Sequence, residues 1–334
     1  MPEGFTLVLL VVLGLAIAFD YINGFHDTAN AIATSVTTRA LKPSWAIAMS
    51  AVANFVGALT GTAVAETVGV GLIDTNVVES QTVIAAALVG AIAWNLLTWR
   101  LGIPSSSSHA LIGGLLGAAV ISAGIGAWQI DGIIGKVLVP LVGSPIVGFT
   151  IGLLVMMVIF NLFRRAHPAR LNGAFRRLQV LSAAWMAFSH GSNDAQKTMG
   201  IMTLALVTAG VIPEFRVPLW VILVAATAIS LGTAAGGWRI IKTMGSRVVK
   251  LDPVHGFAAE TTAATVIFTA SYFGMPVSTA HVISSAIMGV GSSDRLKTVR
   301  WGVARSIAVA WVLTLPASGL TAAVAYLILS PILG

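Results

Sequence analysis

The chain contains no cysteine in its 334 residues, so disulfides, thiolate nucleophiles and cysteine-held metals are all excluded. Charge is the next shortage. Asp, Glu, Lys and Arg together make up 9% of the residues, against about 25% in a soluble domain. No HExxH stretch occurs either, which removes the zinc-protease helix. The net charge of +7 would suit nucleic acid if it formed a patch. Here the basic residues are scattered through short loops between apolar runs, so no nucleic-acid partner is implied.

What is abundant is apolar sequence, at 57% of the chain. Apolar runs lie at 5–22, 44–65, 81–99, 109–130, 133–163, 178–189, 199–212, 217–238, 257–273, 280–291 and 302–330. About 20 apolar residues cross the roughly 30 Å of hydrocarbon in a bilayer. The expectation is an all-α polytopic membrane protein with about ten to twelve membrane segments, several of them short or interrupted. The run Phe5–Ala18 lacks the basic flank of a signal peptide and is read as a retained first helix.

Internal repetition organises the chain. GFHDTANAIA at 24–33 pairs with GSNDAQKTMG at 191–200, and ETVGVG at 66–71 with KTMGSR at 242–247. GIPSSSSHALIGGLLG at 102–117 pairs with GMPVSTAHVISSAIMG at 274–289. The three pairs keep their order, at offsets of 167, 176 and 172 residues. Two repeats follow, over 1–162 and 180–334, joined by a linker at 163–179. That linker holds Arg164, Arg165, Arg170, Arg176 and Arg177, which places it in the cytoplasm by the positive-inside rule.

Matched loops differ in charge. The loop at 66–80 carries Glu66, Asp74 and Glu79, whereas its counterpart at 239–252 carries Arg239, Lys242, Arg247 and Lys250. Likewise 121–136 is nearly neutral, and 292–305 holds Arg295, Lys297, Arg300 and Arg305. Equivalent loops on opposite sides mean two repeats of inverted topology, an arrangement typical of secondary transporters.

Ionisable residues inside a membrane are costly and call for a partner or a use. In the first repeat they are Asp20, His26, Asp27 and His109; in the second, His190, Asp194, Lys197, Glu260 and His281. Gly24 and Gly191, with the surrounding Asn, Asp and Ser residues, predict broken helices lining a cavity. Asp27 and Asp194 hold the same place in the two repeats, so inversion brings two carboxylates together as a hard-oxygen site for Na⁺ or a proton. The plainer alternative is that Asp194 pairs with Lys197 and Asp27 caps a helix.

The hydroxyl clusters supply the opposite chemistry. Ser105, Ser106, Ser107 and Ser108 follow Pro104, and Ser278 and Thr279 follow Pro276. Each cluster opens a helix, and a helix start rich in N–H and O–H groups suits a tetrahedral oxyanion. His109 and His281, at matched positions, either donate to the anion, carry protons, or lie buried and neutral. Glu260 is matched by Leu88 and is a further candidate for a coupling ion. The Gly57–Gly61 and Gly113–Gly117 spacings mark close helix packing.

At GFHDTANAIAT, GSNDAQKTMG, PSSSSHALIGG and PVSTAHVISSAIMG the chain resembles the inorganic phosphate transporter (PiT) family over nearly its whole length. The resemblance implies low-affinity, cation-coupled phosphate uptake, re-entrant hairpins within the inverted repeats, and a homodimer. It assigns coupling-ion roles to Asp27 and Asp194 with Asn30 and Asn193, and makes Glu260 matter. Phosphate contacts fall to Ser105–Ser108, Ser278 and Thr279. His26 stands where sodium-coupled members usually carry Asn, and Asn54 where some carry Glu, which favours H⁺ over Na⁺. No cofactor is implied beyond that ion. A bacterial plasma membrane is the implied setting, and a small cytoplasmic regulator on the Arg-rich loop is a possible partner. Alternatives are a sulfate permease of the same family, a passive anion channel, or an intramembrane metal-dependent hydrolase using His26, Asp27, His190 and Asp194.

Overall fold

The computed structural model describes residues 6–74, 80–236, 240–241, 243–244, 248–293 and 295–333. Glu79, Arg239, Lys242 and Arg247, on which part of the loop comparison rests, lie outside the described residues.

Helices joined by short turns and loops make up the described chain, and its β pairing is limited to one isolated bridge between Ile73 and Trp128. The helices are α1 (Leu7–Thr37), α2 (Pro43–Ala58), α3 (Ala63–Val70), α4 (Gln81–Leu101) and α5 (Ser107–Ala123). They continue as α6 (Ile130–Ile133), α7 (Val139–Leu162), α8 (Pro168–Thr208) and α9 (Leu219–Ala235). A π-helical stretch at Ile134–Leu138 joins α6 to α7. Last come α10 (Pro253–Tyr272), α11 (Thr279–Ser292) and α12 (Trp301–Leu333).

Local chemistry sets the boundaries. Pro43, Pro168 and Pro253 open α2, α8 and α10, where proline's missing N–H costs nothing. Gly102 and Gly274, which open the paired motifs GIPSSSSH and GMPVSTAH, take φ of +66° and +67° after α4 and α10. That left-handed turn suits glycine at a helix end, and the prolines two residues on forbid continuation. Ser106 and Ser278 then accept from the main-chain N–H of His109 (3.1 Å) and His281 (3.3 Å), capping α5 and α11.

Among the described residues four helical stretches are long and apolar enough to cross a membrane: Leu7–Thr37, Gln81–Leu101, Ile130–Leu162 and Trp301–Leu333. Pro43–Ala58 and Ala63–Val70, bent by 73°, make a fifth if they count as one span. The apolar runs therefore do not map one to one onto helices. The runs 178–189 and 199–212 share the single helix α8, while 44–65 divides over α2 and α3.

The expected breaks at Gly24 and Gly191 are absent, because α1 and α8 pass through both motifs unbroken. Close approach, not bending, explains the glycines. A Cβ on Gly24 would run into the main chain of α9 at Ile229 and Thr233, and one on Gly191 into the main chain of α2 at Asn54. Gly57 of α2 and Gly232 of α9 are the reciprocal small residues, against Phe188 and Tyr21. Gly113 and Gly117 of α5 lie as closely on α12, as their spacing predicts.

Packing follows a repeated pattern. α1 lies on α9 as α8 lies on α2. α5 is held between α4 and α12, and α11 between α10 and α7. Polarity runs inside out relative to a soluble protein. Asp20, His26, Asp27, His190, Asp194, Lys197 and Glu260 are buried, whereas Trp45, Val142, Val158, Leu320 and Ile332 face outward. An apolar exterior around a polar centre is what a bilayer solvent demands.

Candidate functional site

Two buried helix segments form the centre. From Ser189 to Leu206 every residue of α8 is buried, and α1 is buried all round from His26 to Ser35. A helix buried on every side must place its polar groups against other protein. In α1, His26 Nδ1 lies 2.7 Å from Asp27 Oδ1. Its Nε2 lies 3.0 Å from Thr98 Oγ1 on α4, and Ser105 Oγ at 3.5 Å completes the group.

In α8, His190 Nε2 lies 3.0 Å from Asp194 Oδ2. The state of this histidine follows from its neighbours. The Thr233 hydroxyl donates to Ile229 O (2.9 Å), so it accepts from Asn54 Nδ2 (2.8 Å). Asn54 Oδ1 is thereby turned to His190 Nδ1 (3.0 Å), which must carry a hydrogen. Nε2 and a carboxylate oxygen then face each other, two bases that need a proton or a cation between them. Asp27, His190 and Asp194 each bring a ligand atom to a place where all three atoms lie within 4.8 Å of one another.

The carboxylates meet the hydroxyl clusters here. Thr279 donates to Asp194 Oδ2 (3.2 Å) and accepts from Asn30 Nδ2 (3.4 Å). Lys197 donates to Asp194 Oδ1, to Ser108 Oγ and to Val277 O, the last at 3.0 Å. Asn30 and Lys197 hold the same register in the paired sequence motifs; Asn30 reaches the start of α11 at Thr279, and Lys197 the start of α5 at Ser108. The Asp194–Lys197 pair expected as the plainer reading is therefore present, and it is built into the site.

Other candidates fall elsewhere. Ser106 and Ser278 are occupied as caps, whereas Ser107 is buried without a hydrogen-bond partner among the described residues. Asn193 donates from Nδ2 to Ser271 Oγ (2.8 Å) and Met275 O (3.2 Å), and its Oδ1 is buried without a hydrogen-bond partner among the described residues. His109 and His281 meet ring to ring, centroids 4.8 Å apart, and His281 stacks on Trp311 at 4.1 Å. Glu260 accepts from Thr34, Ser182 and, at 3.1 Å, Gln179. Thr34 is seven residues from Asp27 and Ser182 twelve from Asp194, about 10 and 18 Å along their helices. Glu260 thus ties α1, α8 and α10 together apart from the paired carboxylates. Sequence reading missed Thr98, Thr233 and this Glu260 cage, because each partner lies on a helix distant in the chain.

An all-helical membrane protein with an apolar exterior and a buried cluster of carboxylates and hydroxyls has the build of a transporter. The phosphate transporter family model matches residues 23–322, and the chain belongs to that family. It is 50% identical over 328 residues, 98% of each chain, to a Bacillus subtilis protein named a probable low-affinity inorganic phosphate transporter. A Rhizobium meliloti protein of the same name is 48% identical over 96% of each chain. A solved structure titled the sodium-dependent phosphate transporter superposes with a TM-score of 0.91 at 25% identity, covering 98% of this chain and 100% of its own. Family and relatives are transporters, so the hydrolase alternative is set aside and the chain is not an enzyme.

Proposed function

We propose that this protein imports inorganic phosphate by symport with a cation, H⁺ in preference to Na⁺. One observation carries the reading: Asp194 touches Thr279 directly and Ser108 through Lys197, so the carboxylate centre and both hydroxyl-bearing helix starts form one site. Phosphate sits between the Ser105–Ser108 and Ser278–Thr279 starts, where clustered hydroxyls, the unpartnered Ser107 among them, and the positive ends of two helices favour an anion. A cation among Asp27, Asp194 and His190 offsets its charge, so the loaded site reorients as a unit. Without the cation the phosphate charge stays uncompensated in a low-dielectric centre, which is what couples the two movements.

Preference for a proton is supported by His26 and by the His190–Asp194 contact, whose fixed tautomer leaves room for one hydrogen between two bases. The mutual packing of α1 with α9 and of α8 with α2, and the matched cradles of α5 and α11, support an inverted-repeat reading over 1–162 and 180–334. In the same proposal the α4–α5 and α10–α11 pairs are re-entrant hairpins, and the protein is a homodimer in a bacterial plasma membrane. The basic 163–179 linker faces the cytoplasm, open to a small regulator.

Radiolabelled phosphate uptake into proteoliposomes, with pH and Na⁺ gradients imposed separately, tests the function. An inward proton gradient is expected to drive accumulation that excess unlabelled phosphate suppresses and sulfate leaves intact. Uptake that equilibrates without accumulating, whatever the cation gradient, would mean a passive pore.

A further inference from the structure

Lys197 is a fully buried ammonium at the junction of the two repeats. Its three N–H groups meet three oxygens of different kinds on different elements. These are the Asp194 carboxylate of α8, the Ser108 hydroxyl of α5, and the main-chain carbonyl of Val277 just ahead of α11. A carboxylate, a hydroxyl and a carbonyl converging on one point are the donor set of a hard monovalent cation. The ammonium fills that point and is held there by its own side chain.

Two further features make this more than a buried ion pair. Lys197 occupies the register that Asn30 holds in the first repeat, so duplication has a neutral amide on one side and a fixed positive charge on the other. The charge also sits beside two helix N-termini, α5 and α11, whose own partial charge is positive. Placing a cation there is unfavourable unless anions share the site, and Asp194 supplies only one.

We propose that Lys197 is a tethered cation, standing in an oxygen site that would otherwise take a mobile monovalent ion. One of the positive charges needed to offset phosphate is thereby permanent, and the transport cycle calls for one fewer ion from solution. The inference rests on the phosphate-symport reading for its consequence, but the ion site itself is testable without transport.

The experiment uses the purified full chain with Lys197→Ala, which removes charge and stem, and Lys197→Met, which removes charge but keeps the volume. Thermal melts in detergent are read with choline chloride and with NaCl at equal ionic strength. Lys197→Ala is expected to gain several degrees in NaCl over choline, while wild type and Lys197→Met gain none. In proteoliposomes under a fixed proton gradient, Lys197→Ala phosphate uptake is expected to fall at least tenfold in choline. It is then expected to recover to within about threefold of wild type with Na⁺ or methylammonium, and Lys197→Met to recover with neither. The inference is overturned if Na⁺ shifts the Lys197→Ala melt no more than that of wild type. It is equally overturned if the folded variant takes up phosphate with the wild-type response to Na⁺. A wild type that moves no phosphate would sink the symport reading, and the melts would still decide the ion site.

Discussion

At the scale of single residues, the site is a set of buried charges that hold one another in place. Removing one partner of a buried pair leaves the other uncompensated, at a cost of about 3–5 kcal/mol. Asp194→Asn is therefore expected to lower the melting temperature of the purified protein sharply by stranding Lys197. The double variant Asp194→Asn with Lys197→Met is expected to regain most of that loss, and a double variant no more stable than Asp194→Asn would contradict the pairing. Asn54 acts through another group, by fixing which nitrogen of His190 carries hydrogen. Asn54→Leu is expected to leave the fold intact but to slow initial phosphate uptake about 10–100-fold, as loss of an orienting partner does. Normal uptake by that variant would show that the tautomer is irrelevant.

Among elements, helix crossings and helix starts do the positioning. Gly24 and Gly191 let α1 and α8 lie against α9 and α2 at main-chain distance. Gly191→Val places branched carbon into the backbone of α2, and overpacking of this kind costs about 1–3 kcal/mol or more. A fluorescence size-exclusion profile is expected to show loss of the monodisperse peak, whereas Gly14→Ala, with nothing near its Cβ, is expected to keep it. Asp252 caps α10, accepting from Val254 N–H at 2.9 Å and His255 N–H at 3.0 Å. Partial burial pushes its carboxyl up, but the His255 side-chain hydrogen bond and charge and the two N–H groups together hold it below the usual carboxylate range. A lowered folded-state value means the contribution is complete above the unfolded carboxylate value, near 3.9. It is lost as pH falls through the folded one. Asp252→Ala is expected to lower stability at neutral pH by about 0.5–2 kcal/mol, read as a lower melting temperature, and to make less difference at strongly acid pH.

For the molecule as a whole, much was legible in the sequence because membrane physics writes in bulk. Scarce charge and recurrent apolar runs announce a polytopic helical protein, and three ordered motif pairs single out Asp27, Asp194 and the hydroxyl clusters that the fold brings together. Spacing also placed helix starts correctly in the hydroxyl clusters that follow Pro104 and Pro276, where α5 opens at Ser107 and α11 at Thr279. It misread Gly24 and Gly191, since a glycine beside polar residues looks alike whether it bends its own helix or admits a neighbour. Lys197 was legible as Asp194's partner at i+3, but its bonds to Ser108 and Val277 reach residues 89 and 80 positions away in the chain. The cage around Glu260 was hidden for the same reason.

The central claim is that cation and phosphate share one site through the paired carboxylates. It is tested most directly by the phosphate accumulation ratio in proteoliposomes under an inward proton gradient, for wild type, Asp27→Asn and Asp194→Asn, each first checked for insertion. Wild type is predicted to concentrate phosphate well above the external level, and both variants to reach no more than equilibrium. Concentrative uptake by either correctly inserted variant at the wild-type ratio would contradict it.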